Sequence, residues 1–207
     1  MTEHRDSIHV AVVTGSVRPD NFTRKAALLT VDELQRQDNV EVELIEPADL
    51  ELTFPGVQTA NSVAAANRLR ESVARASGVV LATPEYHGSV SSVLKCVIEN
   101  LGFPSVLAGK PVALLGVAAG AIGAIKALEQ LRRICSHVGA IVLPGPVSVA
   151  GVQQAFAADG TCRDAAVEKR VRGVGTTLLD YLRNSVCPRV NLERMAREGR
   201  LGDGAEA

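Results

Sequence analysis

The chain has no tryptophan, and aromatic residues make up 3% of its 207 positions. A stacking platform for single-stranded nucleic acid is therefore not expected, because such platforms need several exposed rings. An excess of one charge is lacking too. Against 22 Lys and Arg stand 23 Asp and Glu, a formal net charge of -1, so nothing pulls the whole molecule toward nucleic acid or an anionic membrane. Cysteines are few. Cys96, Cys135, Cys162 and Cys187 lie too far apart for a CxxC or a short-range zinc pair. They read as small core residues in a reducing compartment, and no metal site is expected. Long apolar runs are also missing. The longest uncharged apolar stretch, residues 111–125, contains Gly116, Gly120 and Gly123, and it is shorter than the ~18 residues expected of a spanning helix. Near the start, residues 8–13 are too short for a signal core and end in a glycine turn. The expectation is a soluble, cytoplasmic protein without a membrane or nucleic-acid partner.

Hydrophobic residues make up 46% of the chain, enough for one large domain with its own core. Strand and helix signals alternate along it. Residues 8–14 form a short β-branched run, followed by a helix over about 21–37. Residues 40–45 alternate with period two, as a half-exposed edge strand should. Residues 49–61 read as loop, broken by Pro55 and Gly56. Val63, Ala66, Leu69, Val73 and Ala76 then repeat at helical spacing, Gly78 stops that helix, and 79–83 is a third strand. Val93, Leu94, Val97, Ile98 and Leu101 form an apolar helical stripe. Residues 111–117 are a continuous apolar run, typical of a strand covered on both faces. Ile122, Ile125, Leu128, Leu131 and Cys135 mark a fourth helix, 140–143 a short fifth strand, and Val167, Val171, Val174, Leu178 and Tyr181 the last helix. Five strands alternating with five helices imply a single doubly wound parallel sheet of order 2-1-3-4-5. The single domain is expected over residues 1–186. The charged, weakly periodic stretch 187–207 reads as a loose tail or a partner-docking arm.

In such a sheet, ligands bind where turns leave the carboxyl ends of the strands. The first such turn lacks G-x-G-x-x-G and G-x-x-x-x-G-K-[ST], which argues against a Rossmann dinucleotide site and a P-loop. It offers Ser16, Arg18, Asn21 and Thr23 at a helix N-terminus. Those groups suit a terminal phosphate, through N–H groups, the helix dipole and a guanidinium fork. They are equally consistent with a helix cap among solvated charges. After the third strand comes Thr83-Pro84-Glu85-Tyr86-His87-Gly88-Ser89. It carries a planar aromatic, a histidine, and a glycine that lets a flat ligand approach the backbone. After the fourth strand comes Gly116-Val117-Ala118-Ala119-Gly120-Ala121-Ile122-Gly123, without a single charge. The first, third and fourth strands are neighbours in the expected order. A phosphate at one turn and a planar ring between the other two describe FMN.

Taken together, Gly15-Ser16-Val17-Arg18 with Phe22-Thr23, Pro84-Glu85-Tyr86-His87-Gly88-Ser89-Val90, Leu94-Lys95 and Gly109-Lys110-Pro111-Val112 resemble the NAD(P)H-dependent FMN reductases. That family includes related quinone, chromate and azo-dye reductases. The likeness runs in order over about two thirds of the chain. It implies a three-layer, flavodoxin-like α/β fold, non-covalent FMN, NAD(P)H as co-substrate, and homodimers or dimers of dimers. It also implies that Ser16, Arg18, Asn21, Phe22 and Thr23 hold the phosphate and ribityl chain. Pro84, Glu85, Tyr86, His87 and Gly88 would run along the flavin, with Ala119 and Gly120 approaching from the other turn. Many members carry Asn after the Leu-Lys pair and Asp-Trp further along that helix. Here Cys96, Glu99 and Asn100 occupy those places.

The expected chemistry is hydride transfer from NAD(P)H through FMN to a small acceptor, such as a flavin or quinone. The cofactor supplies the reactive atom and the protein supplies position and electrostatics, so no catalytic dyad is named. His87 is offered as a proton donor or as a loop residue that lends shape. Tyr86 stacks on the ligand or anchors its loop. Glu85 pairs with Arg18 or caps the following helix. Two further functions fit the same turns: an FMN dehydrogenase acting on a specific pathway metabolite, and a non-catalytic FMN electron carrier. Carriers of that kind usually dock through a strongly acidic face, which a net charge of -1 does not suggest.

Overall fold

The structure is a computed structural model and describes residues 7–197; residues 1–6, His4 among them, and residues 198–207 lie outside the described residues. Strand β1 (Ile8–Thr14) opens the chain. Helix α1 (Phe22–Gln35) follows, started by Asn21, whose side chain accepts from the Arg24 N–H. After β2 (Val40–Ile45) comes a single 3-10 turn, Pro47–Asp49. Helix α2 (Ala60–Arg75) begins in a capping box between Thr59 and Ser62. Strand β3 (Gly78–Tyr86) turns back through a hairpin into β4 (Ser89–Val90). Helix α3 (Ser92–Asn100) follows, capped by Ser91. Next come β5 (Pro111–Val117), α4 (Ile125–His137), β6 (Ile141–Val142) and β7 (Val147–Val149). A short α5 (Val152–Ala155) leads to α6 (Ala165–Tyr181), and a π-turn joins α6 to α7 (Cys187–Arg197).

The spine of the sheet is ordered β2-β1-β3-β5-β6, and its neighbours pair in parallel. Because β4 is only a hairpin on β3, this is the expected 2-1-3-4-5 order of a flavodoxin-like sheet. Strand alternation divides the core between two faces. Val10 and Val12 face α1 and α6, whereas Ala11 and Val13 face the side covered by α2, α3 and α4. Fully buried leucines such as Leu34, Leu81, Leu131 and Leu178 anchor these layers, each contributing about 1.5–3 kcal/mol. Helices α1 and α6 meet closely at Gly175, where an added Cβ would lie 2.9 Å from Leu34 Cγ.

Several local expectations change. The fifth strand is split: β6 pairs with the start of β5 and β7 with its end. Pro144 and Pro146 lack the N–H a ladder needs, and Gly145 between them has φ 73°. The fourth helix begins at Ile125, so Ile122 lies in an exposed turn. Of the four cysteines only Cys135 is buried, and burial pushes its thiol up to about 12. Residues 187–197, expected in the tail, are helical as α7, and the rest of that segment lies outside the described residues. Among the described residues no helix is long and apolar enough to cross a membrane.

Arg172 of α6 bonds Asp32 of α1 at 2.6 Å and Glu168 at 2.9 Å. The first of these hydrogen bonds, reinforced by the charges of Arg36 and Arg172, holds the Asp32 carboxyl below its ordinary value. The depressed pKa makes the pair stabilising above the ordinary carboxylate range, and the gain is lost as pH falls through the folded value. The pair is partly exposed, so Asp32→Asn is expected to cost only about 0.5 kcal/mol at about pH 6. The difference should shrink as pH falls below the ordinary carboxylate range and through the depressed folded value, which urea titrations of both proteins across pH will show.

Candidate functional site

Three turns meet at the carboxyl edge of β1, β3 and β5. The first two are stitched together by Ser91. Its hydroxyl donates to the Gly15 carbonyl at 2.6 Å and accepts from the Leu94 N–H at 3.1 Å, so one side chain caps α3 and holds the β1 turn. The Gly15 N–H donates to the Ala82 carbonyl at 2.7 Å. A Cβ on Gly15 would lie 2.9 Å from that carbonyl oxygen and 2.9 Å from Leu94 Cβ. Only glycine fits so close an approach of backbone to backbone.

The β1 turn is shaped by its own polar groups. Asn21 donates to the Arg18 carbonyl at 2.7 Å while accepting from Arg24 N–H at 2.8 Å. Both ends of its amide are therefore used locally, as the cap of α1. Ser16 is buried beneath the turn, and its hydroxyl accepts from Arg18 N–H at 3.4 Å. Asp20, at φ 52°, pairs with Lys25 at 2.9 Å. Lys25 is itself buried and also donates to the Ala158 carbonyl at 2.9 Å. The Arg18 guanidinium lies 4.5 Å above the Tyr86 ring, a cation–π contact between the first turn and the third strand.

The central segment is less of a turn than its sequence suggests. Pro84, Glu85 and Tyr86 belong to β3, and Glu85 and Tyr86 pair with Val90 and Ser89. His87 and Gly88 alone form the loop, with φ 51° and 69°, the two left-handed residues of a type I′ hairpin. His87 is exposed at its tip. Glu85 neither pairs with Arg18 nor caps the helix that follows it. Its carboxylate accepts from the Ala127 N–H at 3.0 Å, in the first turn of α4, where a negative charge suits the helix dipole. Ser148 of β7 accepts from the Ala124 N–H at 2.8 Å. The start of α4, and with it the glycine turn, is thus held by two separate strands.

Between these turns lies a cleft of about 370 Å³. Arg18, Asn21, Phe22, Thr23, Pro84, Glu85, Tyr86 and Ala119 of the expected site line it together. Ser16 sits behind the first turn, His87 and Gly88 stand at the hairpin tip, and Gly120 lies in the exposed turn, where its carbonyl accepts from Gly123 and Gly151. Val152 and Gln153 complete the wall, and sequence reasoning did not find them. They sit on the four-residue α5, too short to show helical periodicity. The available signal was Gly151, left-handed at φ 55°, which starts that turn.

The donor set suits a phosphorylated, flat ligand. The free N–H groups of α1 and the Arg18 guanidinium favour an anion, and Lys25 neutralises Asp20 beside them. The hydroxyl of Thr14, at the end of β1, is buried and, among the described residues, is the one buried side-chain polar atom without a hydrogen-bond partner. At Gly120 an added Cβ would meet nothing within 4 Å, so the glycine turn leaves open space on its side.

The family model described as NADPH-dependent FMN reductase matches residues 8–154. An NADPH azoreductase of Bacillus sp. (strain OY1-2) is 35% identical over 144 residues, covering 69% of this chain and 77% of that one. A quinone reductase of Escherichia coli (strain K12) is 32% identical over 152 residues, 72% of this chain and 80% of its own. Among solved structures, the flavoenzyme NAD(P)H:(acceptor) oxidoreductase FerB from Paracoccus denitrificans superposes with TM-score 0.69 at 27% identity, covering 85% of this chain and 97% of that one.

Ser91→Ala removes a helix cap and leaves the Gly15 carbonyl unpaired. It is expected to lower unfolding free energy by about 1–2 kcal/mol in urea titration. Thr14→Val is nearly isosteric and removes an unpartnered hydroxyl. The ligand-free protein should gain about 1 kcal/mol in the same measurement.

Proposed function

This chain belongs to the NADPH-dependent FMN reductase family, and on that premise we propose that it is an FMN-dependent oxidoreductase using NAD(P)H to reduce a small acceptor such as a flavin or quinone. The observation that carries this reading is the convergence of three carboxyl-edge turns on one cleft, with anion donors at one end and a charge-free turn at the other. Bound FMN supplies the hydride chemistry that no side chain here can perform.

The chain's own part is binding and placement. The N-terminus of α1, with Ser16, Thr23 and Arg18, meets the phosphate. Asn21 acts on that phosphate through the shape of the turn, because both ends of its amide are already engaged. Phe22, with Lys25 5.0 Å from its ring, closes the side of the cleft. Pro84 to Tyr86 and Ala118 to Ala119 would flank the ring; Pro84 has no N–H and that of Ala118 is committed to the Val149 carbonyl at 2.9 Å, so a backbone donor on that side would come from Ala119. Tyr86 is held under Arg18 and fixes the guanidinium's position. His87 and Gly88, at the exposed hairpin tip, border the side from which co-substrate and acceptor arrive. Residues 1–186 serve as the flavin domain, with 187–207 as an appendage. The working assembly is a homodimer or a dimer of dimers in the cytoplasm.

The purified protein is expected to be yellow, or to become so with FMN, and to bleach rapidly when NADPH or NADH is added without oxygen. A yellow protein that neither nucleotide bleaches would overturn the reductase reading. Arg18→Ala should weaken FMN by ~1.5–3 kcal/mol, the scale of a lost charge-assisted hydrogen bond. Flavin fluorescence titration reads this directly, and an unchanged affinity removes Arg18 from the phosphate site.

A further inference from the structure

The hairpin tip between β3 and β4 carries a cation that no described residue neutralises. Lys126, in the first turn of α4, lies across that tip. The place a Cβ on Gly88 would occupy is 3.4 Å from Lys126 Cδ and 4.0 Å from its Nζ. Lys25, Lys95 and Lys110 are each engaged, the first two with Asp20 and Glu99 and the third with the carbonyls of Ala74 and Ala76. Lys126 is exposed and has no ion pair or hydrogen bond among the described residues. Glu85 of β3 is committed elsewhere, to the Ala127 N–H at 3.0 Å.

A free amide stands beside this ammonium. Gln130 follows Lys126 by four residues, so the two share one face of α4. Its Oε1 accepts from the Ser89 hydroxyl at 2.6 Å and from the Val90 N–H at 3.4 Å. A backbone N–H can only donate, so the oxygen of the amide must face β4 and its NH2 is left for a ligand. An ammonium and an amide donor over one hairpin suit an anion with several oxygens.

This donor set stands apart from the turn that meets the FMN phosphate. That turn has the N-terminus of α1 and Arg18, whereas Lys126 belongs to another helix and does not line the flavin cleft. A quinone ring offers Lys126 no charge to hold. A pyridine nucleotide does, through its diphosphate bridge and, in NADPH, through the 2′-phosphate. We propose that Lys126 and Gln130 clamp a phosphate of the pyridine-nucleotide co-substrate as its nicotinamide enters the cleft past His87 and Gly88. Gln130 also anchors the hairpin, so the clamp and the segment that flanks the flavin are held as one unit. This inference rests on the reductase reading above and adds the residues that hold the hydride donor.

Binding can be read separately from turnover. Adenosine 2′,5′-bisphosphate and ADP are titrated calorimetrically into the full, FMN-loaded chain, one probe carrying the 2′-phosphate and the other the diphosphate. At least one should bind. Lys126→Ala should weaken it roughly tenfold or more, the scale of a lost charge-assisted hydrogen bond, and Lys126→Arg should restore most of the affinity. FMN affinity, followed by flavin fluorescence, should be alike in all three proteins. A loss for ADP puts the clamp on the diphosphate, with KM raised for NADPH and NADH alike. A loss confined to the bisphosphate puts it on the 2′-phosphate, with KM raised for NADPH alone. The clamp is wrong if neither probe binds, if Lys126→Ala binds both as well as the parent does, or if FMN affinity falls as far as probe affinity. A protein that binds a probe through Lys126 yet is bleached by neither NADPH nor NADH keeps the clamp and sinks the reductase reading.

Discussion

The hydrogen bond from the Ser91 hydroxyl to the Gly15 carbonyl, 2.6 Å long and buried, sets the spacing between the two halves of the cleft. One half is the β1 turn, where N–H groups and Arg18 gather. The other is the end of β3, where Tyr86 lies under that arginine. Because the same hydroxyl caps α3, the helix cannot start a residue earlier or later without releasing the β1 turn. Gly15 belongs to the same constraint, since a side chain there would press against the Ala82 carbonyl and Leu94. The glycine turn is fixed by a parallel device, in which Glu85 and Ser148 hold the start of α4 from two strands. The cleft is therefore walled by turns that are pinned to strand and helix ends by these hydrogen bonds.

Electrostatics at the cleft follows from which charges are already satisfied. Asp20 would oppose a phosphate, yet Lys25 holds it from a buried position and also ties the turn to the Ala158 carbonyl. Arg18 is held over a ring instead of against a carboxylate, so its charge remains available to an anion. Glu85, the other nearby acid, is committed to the N-terminus of α4. With the acids engaged and the guanidinium set on a ring, the mouth of the cleft favours a dianion without any excess of charge on the protein as a whole.

The order of the sheet was legible because buried parallel strands are apolar runs and their crossover helices carry apolar stripes, as in residues 79–83 and 111–117. The three turns were legible for the same reason: the topology rule puts the ends of β1, β3 and β5 side by side. What escaped were features made by contacts between distant residues. Nothing local to Glu85 shows that it reaches Ala127, and its neighbours suggested Arg18 or the next helix instead. The division of the edge strand into β6 and β7 was hinted at by Pro144 and Pro146, but each half is too short to show alternation. Val152 and Gln153 lie in a turn whose only mark in the sequence is a glycine.

The sequence alone determined the fold class, the strand order, the candidate cofactor and the turns that would hold it, because these depend on periodicity and on residue types next to one another in the chain. Tertiary structure alone decided which side chains face the cleft and which are spent holding it. Asn21 went to the turn, Glu85 to a helix start and His87 to an exposed hairpin tip. Ala127, 42 residues beyond Glu85 in the chain, is brought within 3.0 Å of it by packing and by nothing written locally.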